Sequence, residues 1–240
     1  MKTALITGAN KGIGFETARQ LAQQGIFVYL GCRRTAAGEQ AVQMLQAEGL
    51  TNTAFIEIDV TSAASVNQAV SRLQQNTDSL DILINNAGIL GKLAEPGKPL
   101  PVEEVQKVFE TNYFGVIRVT QAFMPLLQRS VAPRIVHVTS ELASLSNHND
   151  PSWKYYQYKN ISYGPSKTAL NAYTIALAYQ LKDTAFKVNA INPGHTATEF
   201  NNFRGTKPPQ QAAQVIVQYA LIDESGPTGR FFSEEGETPW

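Results

Sequence analysis

Short apolar runs alternate with stretches of helical periodicity along most of this 240-residue chain. Such alternation is typical of a parallel sheet whose strands are joined by crossover helices. The runs that predict strands are residues 3–7, 26–31, 54–58, 80–84, 134–139, 187–191 and, more weakly, 229–232. The stretches that predict helices include residues 39–48, 66–75, 102–127 and 167–181. We therefore expect an α/β fold: a doubly wound, mostly parallel seven-stranded sheet with helices on both faces, forming one domain over residues 1–240.

The composition limits the kinds of partner that the chain can have. Its net charge is zero and it has no run of Lys or Arg, so nothing indicates a nucleic acid or an anionic membrane. No apolar stretch approaches the ~18 residues of a membrane span, and the first apolar run is too short for a secretory signal. The single cysteine, Cys32, excludes an internal disulfide, and the histidines are too scattered to predict a metal site. These features favour a cytoplasmic protein.

Glycines are concentrated directly after the first predicted strand, in the sequence TGANKGIG of residues 7–14. Glycine permits a tight turn and lets backbone N–H groups approach a pyrophosphate at the start of the following helix. Because this cluster lies between the first strand and an amphipathic helix, it favours a dinucleotide site over a plain turn. The spacing differs from the usual motif, since three residues separate Gly8 from Gly12.

Two tyrosines each stand four residues before a lysine, Tyr155 before Lys159 and Tyr163 before Lys167. On a helix these positions share one face, so the ammonium would favour ionisation of the phenol and make it a general acid or base. Only the second pair begins a stretch with sustained helical periodicity. Pro165 would interrupt a helix that started near Tyr155, but the first turn of a helix that starts near Tyr163 tolerates it. The sequence therefore favours Tyr163 and Lys167 as the functional pair.

The motifs, taken together, resemble those of the short-chain dehydrogenase/reductase family. In chain order they are residues 7–14, Asp59-Val60, the NNAG sequence of residues 85–88, Asn112, Ser140, the YGPSK sequence of residues 163–167, and the NPG sequence of residues 192–194 with Thr198. They span most of the chain in the order typical of the family. The resemblance implies a Rossmann fold and an oxidoreductase, with closest likeness to the NADPH-dependent carbonyl reductases.

The resemblance also implies a catalytic set of four residues. In the family's mechanism Tyr163 gives a proton to the carbonyl oxygen while the nicotinamide delivers hydride to the carbonyl carbon. Ser140 hydrogen-bonds the same oxygen and stabilises the charge that develops on it. Lys167 holds the ribose hydroxyls and lowers the pKa of the tyrosine, and Asn112 supports a water relay to Lys167.

A cofactor site follows from the same resemblance. The residues expected to contact the cofactor are Gly8, Asn10, Lys11, Gly12, Ile13, Arg33, Asp59, Val60, Asn86, Ala87, Gly88, Tyr163, Lys167, Pro193, Gly194, Thr196 and Thr198. The second predicted strand ends without an acidic residue that would accept from a ribose 2′-hydroxyl. Arg33 and Lys11 instead suit a 2′-phosphate through their charge, so we expect NADP(H).

Residues 147–160 form an insertion relative to the family pattern. The insertion carries Trp153, Tyr155, Tyr156 and Tyr158, which would either wall an apolar pocket or cover a surface that relatives use for association. The sequence thus leaves a monomer and a homodimer open. Two proline-bearing segments, residues 91–101 and 192–209, follow strands at the carboxyl edge of the sheet. They are either substrate-site loops or plain surface loops.

The sequence is compared with three possible functions. The first is NADPH-dependent reduction of a ketone, aldehyde or quinone to an alcohol, with a small-molecule carbonyl or alcohol substrate. A nucleotide-sugar epimerase or dehydratase is disfavoured by the glycine spacing and the short C-terminal region. A catalytically inactive NADP-binding sensor is disfavoured because all four catalytic residue types are present.

Overall fold

Strands and helices alternate through the computed structural model, which describes residues 1–94 and 98–240. In chain order the first elements are β1 (Thr3–Thr7), α1 (Gly12–Gln23), β2 (Phe27–Cys32), α2 (Thr35–Ala47), β3 (Thr53–Glu57), α3 (Ala63–Gln74), β4 (Ile82–Asn85), α4 (Val102–Phe109) and α5 (Gly115–Leu127). They are followed by β5 (Arg134–Val138), α6 (Leu145–His148), α7 (Tyr163–Gln180), β6 (Lys187–Ile191), α8 (Pro209–Ala220), β7 (Phe231–Ser233) and β8 (Gly236–Glu237). The predicted strands therefore form, with boundaries that move by one or two residues.

The strands lie in one sheet in the order β3-β2-β1-β4-β5-β6-β7-β8. Strands β1 to β7 pair in parallel, and β8 pairs antiparallel with β7. The expected doubly wound α/β fold is confirmed. The sheet has one more strand than the sequence predicted, because the two residues of β8 are too few to show an apolar pattern.

Both faces of the sheet are covered by helices, and β1 shows how. All five of its residues are buried. Ala4 and Ile6 pack in a cluster with residues of α1 and α8, whereas Leu5 points to the other face and packs in a cluster with residues of α3, α5 and α7. A strand that is buried on both faces reads as a continuous apolar run, which is why these strands were predictable.

The helix predicted over residues 102–127 is interrupted. A π turn, Glu110–Phe114, separates α4 from α5, and the N–H of Gly115 donates to the carbonyl oxygen of Glu110. Asn112 lies in this turn and is fully buried. Single π turns within helices insert one residue into the regular ladder, and they occur often at functional sites. Here the turn directs the amide of Asn112 towards the end of β4.

Helix α7 begins at Tyr163, so Tyr163 and Lys167 lie one turn apart on the same helix as predicted. The other pair differs, because Tyr155 and Lys159 lie in a segment of turns without a helix or a strand. Of the expected loop at residues 91–101, the part at residues 95–97 lies outside the described residues. None of the helices in residues 1–94 and 98–240 combines the length and apolarity needed to cross a membrane.

Candidate active site

A cavity of about 580 Å³ lies at the carboxyl edge of the sheet. Residues that directly follow β1, β2, β4, β5 and β6 line it, as expected for a ligand site at the point where a doubly wound sheet reverses its strand order. Every predicted catalytic or cofactor residue except Asn112 lines this one cavity. The structure thus brings the predicted residues together, while their roles stay predictions.

The glycine turn packs tightly against the loop after β4. Gly8 and Gly12 have φ angles of +67° and +58°, a backbone region that residues with a side chain rarely adopt. A Cβ atom at Gly14 would lie 2.5 Å from Nδ2 of Asn86. Lys11 is the residue at the N-cap of α1, and its side chain accepts no hydrogen bond from the helix. The Lys11 side chain therefore leaves the first N–H groups of α1 without an acceptor. An anion would satisfy them.

Thr7 and Asn86 join the first and fourth strands beneath the turn. The Thr7 hydroxyl accepts from the backbone N–H groups of Asn86 and Ala87, each at 3.0 Å. The Asn86 amide donates to the carbonyl oxygens of Thr7 and Gly8, at 2.9 and 3.1 Å. Asn86 therefore fixes the shape of the turn, a role that its position in the NNAG motif did not reveal.

Two cations lie in the wall of the cavity. Arg33 follows β2, and Lys11 lies in the glycine turn, where it forms an ion pair with Glu199. Partial burial raises the pKa of the Asp59 carboxyl, but hydrogen bonds from Thr61 and the charge of Arg33 outweigh this effect and leave the pKa below its usual value. The second strand ends without an acidic side chain in the cavity wall, as the sequence indicated.

Ser140 and Tyr163 approach each other across the middle of the cavity. Ser140 lies two residues after the end of β5, and its Oγ accepts from the N–H of Leu142 at 3.2 Å. Burial raises the pKa of the Tyr163 phenol to about 12, and a hydrogen bond with Ser140 offsets only part of that rise. At neutral pH the phenol is therefore protonated and able to act as a proton donor.

Lys167 lies beneath the ring of Tyr163, one helical turn further along α7. Its Nζ donates to the carbonyl oxygen of Val138 at 2.8 Å and lies 5.9 Å from the centre of the Tyr163 ring. Burial lowers the pKa of Lys167 to about 8. Desolvation of the buried phenol dominates the pKa of Tyr163, so the expected lowering of that pKa by Lys167 stays a prediction.

Asn112 lies behind the cavity rather than in its wall. Its Oδ1 accepts from the N–H of Ile89 at 2.8 Å, and its Nδ2 donates to the carbonyl oxygen of Ile89 and to Oγ of Ser166, at 2.9 and 3.1 Å. Both N–H bonds of the amide are therefore used within the protein. A Cβ atom at Gly88 would lie 3.3 Å from Oδ1 of Asn112 and 3.6 Å from Nζ of Lys167, so the absent side chain lets these two residues come close.

The loop after β6 closes one side of the cavity. The N–H of Gly194 donates to Oδ1 of Asn192 at 3.0 Å, and the hydroxyl of Thr196 donates to the carbonyl oxygen of Gly194 at 3.1 Å. Thr198 then caps a 3₁₀ turn, Glu199–Asn201. Pro193 also lines the cavity. The loop after β6 therefore forms part of the cavity wall and is not a plain surface loop.

The remaining wall is largely apolar and aromatic. It is formed by Leu90, Leu142, Tyr155, Tyr158, His195, Phe200 and Phe203. Of the two readings of the insertion, the structure supports the pocket wall, because Tyr155 and Tyr158 line the cavity. The cavity wall also contains Glu141, His195 and Glu199, which no sequence motif indicated as site residues. Glu141 could have been suspected, because it directly follows the predicted Ser140.

Comparisons with known proteins agree with this arrangement. The family model described as short chain dehydrogenase matches residues 2–208. The (−)-isopiperitenone reductase of Mentha piperita is 34% identical, with 97% of this chain and 96% of that protein covered. Its alignment runs over 304 positions, so that protein carries segments that this chain lacks.

Solved structures agree as well. Salutaridine reductase from Papaver somniferum is 30% identical, with a TM-score of 0.84 over 98% of this chain and 100% of that chain. The RhlG/NADP active-site complex from Pseudomonas aeruginosa is 25% identical, with a TM-score of 0.84 over 97% of this chain and 95% of that chain. The fold is therefore that of these proteins.

Proposed function

The chain belongs to the short-chain dehydrogenase family, and from that premise we propose that it is an NADPH-dependent reductase of bulky apolar ketones. The observation that carries the proposal is the placement of Tyr163, Ser140 and Lys167 in one cavity that has cations at one end and an aromatic wall at the other. The two ends suit a phosphorylated cofactor and an apolar substrate, respectively.

The residues present fit a dinucleotide. The glycine turn leaves no room for a side chain at Gly14 and offers the start of α1 to an anion. Arg33 and Lys11 supply the positive charge that a ribose 2′-phosphate requires, with Arg33 able to make bidentate contacts. Gly194 and Thr196 stand at the opposite end, close to the catalytic residues, where they would hold the nicotinamide half. The NADP complex of the Pseudomonas aeruginosa relative supports this choice of cofactor.

Protein groups provide orientation and the proton. NADPH, when bound, supplies the hydride. A substrate carbonyl oxygen placed between Ser140 and Tyr163 would accept a hydrogen bond from each hydroxyl. As negative charge develops on that oxygen, Ser140 stabilises it and Tyr163 donates its proton. Lys167 keeps a positive charge beneath the phenol, which favours the phenolate that proton donation leaves behind.

The substrate class follows from the wall of the cavity. Phe200, Phe203 and Tyr158 present apolar surface, while Glu141 is engaged by Trp153 and Lys154. A neutral, ring-sized ketone would be desolvated there without leaving a charge unpaired, whereas a phosphorylated sugar would find no free cation in the described part of this wall. The names of the isopiperitenone and salutaridine reductases are consistent with substrates of this kind.

The proposal is tested by following NADPH oxidation with a panel of cyclic ketones, aldehydes and quinones, and with Tyr163→Phe as the inactive control. We expect turnover with cyclic ketones that falls by about 10²-fold or more in the variant. NADPH binding without oxidation in the presence of any carbonyl compound would instead identify an inactive NADP-binding protein.

A further inference from the structure

A segment of turns, residues 150–158, runs along the aromatic side of the cavity, and we name it the aromatic strap. We propose that Glu141 is a positioning residue that fixes the strap, and that Tyr155 on the strap is a specificity-determining residue for the substrate. The inference rests on the proposed function, because it gives a role to the wall of that same pocket. It concerns residues that lie outside the Ser140, Tyr163 and Lys167 set.

The carboxylate of Glu141 holds two consecutive residues of the strap. Its Oε1 accepts from Nε1 of Trp153 at 2.8 Å, and its Oε2 pairs with Nζ of Lys154 at 3.2 Å. A hydrogen bond to an ionised acceptor is stronger than one between neutral groups. Because Glu141 directly follows Ser140 in the chain, these bonds fix the strap relative to the reacting centre.

Contacts continue from the anchored residues to Tyr155. The Trp153 ring meets the Tyr155 ring edge-on, with centres 5.5 Å apart and planes at 90°. Nζ of Lys154 lies 5.1 Å from the centre of the same ring, and His195 approaches it at 6.3 Å. Trp153 and Lys154, which Glu141 binds, therefore hold Tyr155 on two sides, and His195 adds a contact that does not involve Glu141.

Tyr155 lines the cavity with its phenol in the neutral form. Burial raises the pKa of its phenol, and the nearby carboxylate of Glu141 adds to that rise, although Lys154 opposes it. Tyr155 lines the cavity beside Tyr158 and Leu142. A neutral aromatic wall favours ring-shaped apolar substrates and contributes little to the binding of small ones.

The strap depends on side-chain anchors because its backbone forms no helix or strand. At one end Asp150 accepts from the N–H and hydroxyl of Ser152, at 2.9 and 2.7 Å. At the other end Lys159 donates to the carbonyl oxygen of His148 at 2.8 Å. Between these ends, the side-chain hydrogen bond and ion pair that join the strap to the rest of the described protein are those of Glu141, and ring contacts of His148 with Trp153 and of His195 with Tyr155 add to them. Removing Glu141 would therefore free the part of the strap that lines the pocket.

The test compares Glu141→Ala, Trp153→Phe and the double variant by steady-state kinetics with one bulky cyclic ketone and one small acyclic ketone. Each single variant should lower the ratio of kcat/KM for the bulky ketone to that for the small ketone by about tenfold, through KM rather than kcat. The double variant should match Glu141→Ala, because the hydrogen bond that Trp153→Phe removes is already lost in that variant. Glu141→Gln keeps an acceptor for Trp153 and should recover most of the ratio.

Glu237→Ala is the matched control, since it breaks an ion pair with Arg230 and neither residue lines the cavity. Additive effects of Glu141→Ala and Trp153→Phe, or an equal loss of kcat with both ketones, would overturn the proposal. If Glu141→Ala does not fold, Trp153→Phe alone decides, because an unchanged substrate ratio in that variant also overturns it.

A second readout does not need activity. The chain has two tryptophans, so in a Trp240→Phe background Trp153 alone reports on the strap. Loss of Glu141 should move the emission of Trp153 to longer wavelength, and Glu141→Gln should restore it. An unmoved emission in Glu141→Ala refutes the anchoring. A moved emission in a protein that reduces no ketone would uphold the anchoring and refute the proposed function.

Discussion

The ring of Phe200 lies edge-on against the ring of Tyr163, with centres 5.6 Å apart and planes at 61°. Phe200 belongs to the 3₁₀ turn after β6, and its neighbour Glu199 is paired with Lys11 in the glycine turn. The loop therefore touches both the proposed proton donor and the proposed phosphate site. A substrate bound at Tyr163 would contact Phe200, and a 2′-phosphate bound at Lys11 would compete with Glu199.

This loop should be a mobile cover over the cavity. Phe203 has a φ angle of +57°, which is strained for a bulky residue, and such strain occurs often in segments that move. We expect hydrogen exchange of residues 194–207 to slow when NADP and a substrate analogue bind together. Glu199→Gln should speed exchange in the free protein, because it removes the tie to Lys11. Unchanged exchange in this segment after both ligands bind would show that it is not a lid.

Cofactor choice should depend on Arg33. The unmodified protein should prefer NADPH over NADH by at least about tenfold in kcat/KM, or about 1.4 kcal/mol. Arg33→Asp should erase or reverse the preference, because it replaces a cation that attracts the 2′-phosphate with a group that accepts from a 2′-hydroxyl. Arg34→Asp makes the same change of charge one residue away, outside the cavity wall, and should leave the preference largely intact. Equal efficiency with both cofactors before any substitution would contradict this prediction.

Acid stability should depend on His137, which is fully buried on β5. Burial and the charge of Lys167 lower the pKa of His137 to about 3. Between pH 3 and the ordinary pKa of histidine, His137 binds a proton in the unfolded chain but not in the folded protein. The free energy of unfolding therefore falls as the pH falls. From pH 7 to pH 5 the loss is about 2 kcal/mol.

His137→Asn and His137→Gln remove the titrating group. Relative to the unmodified protein, both variants should gain about 2 kcal/mol of unfolding free energy when the pH is lowered from 7 to 5. Urea unfolding at the two pH values measures this difference. A relative stability that stays constant with pH would mean that His137 takes up its proton in the folded protein with the same pKa as in the unfolded chain.

The parts of the molecule that the sequence predicted depend on local patterns. The strands were predictable because burial on both faces leaves continuous apolar runs, and Tyr163 could be chosen over Tyr155 because Pro165 is compatible with only one helix start. The contact of Lys11 with Glu199 joins residues 188 positions apart, and no local pattern encodes it. The contacts of Glu141 with the strap were equally unpredictable, because they depend on how a segment without helix or strand packs against the rest of the protein.

The two Tyr/Lys spacings give the sharpest test of the site. Tyr163→Phe removes the proton donor and should lower turnover of a reducible ketone by about 10²-fold or more, while NADPH affinity measured by fluorescence stays nearly unchanged. Tyr155→Phe removes a hydroxyl from the pocket wall. It should alter apparent substrate affinity but keep turnover within about tenfold, because no proton is lost from the transition state. The structure supports this order, since Lys159 lies 4.3 Å from the ring centre of Tyr156 while Lys167 lies beneath Tyr163. An inactive Tyr155→Phe beside an active Tyr163→Phe would place the proton donor on the strap instead of on α7.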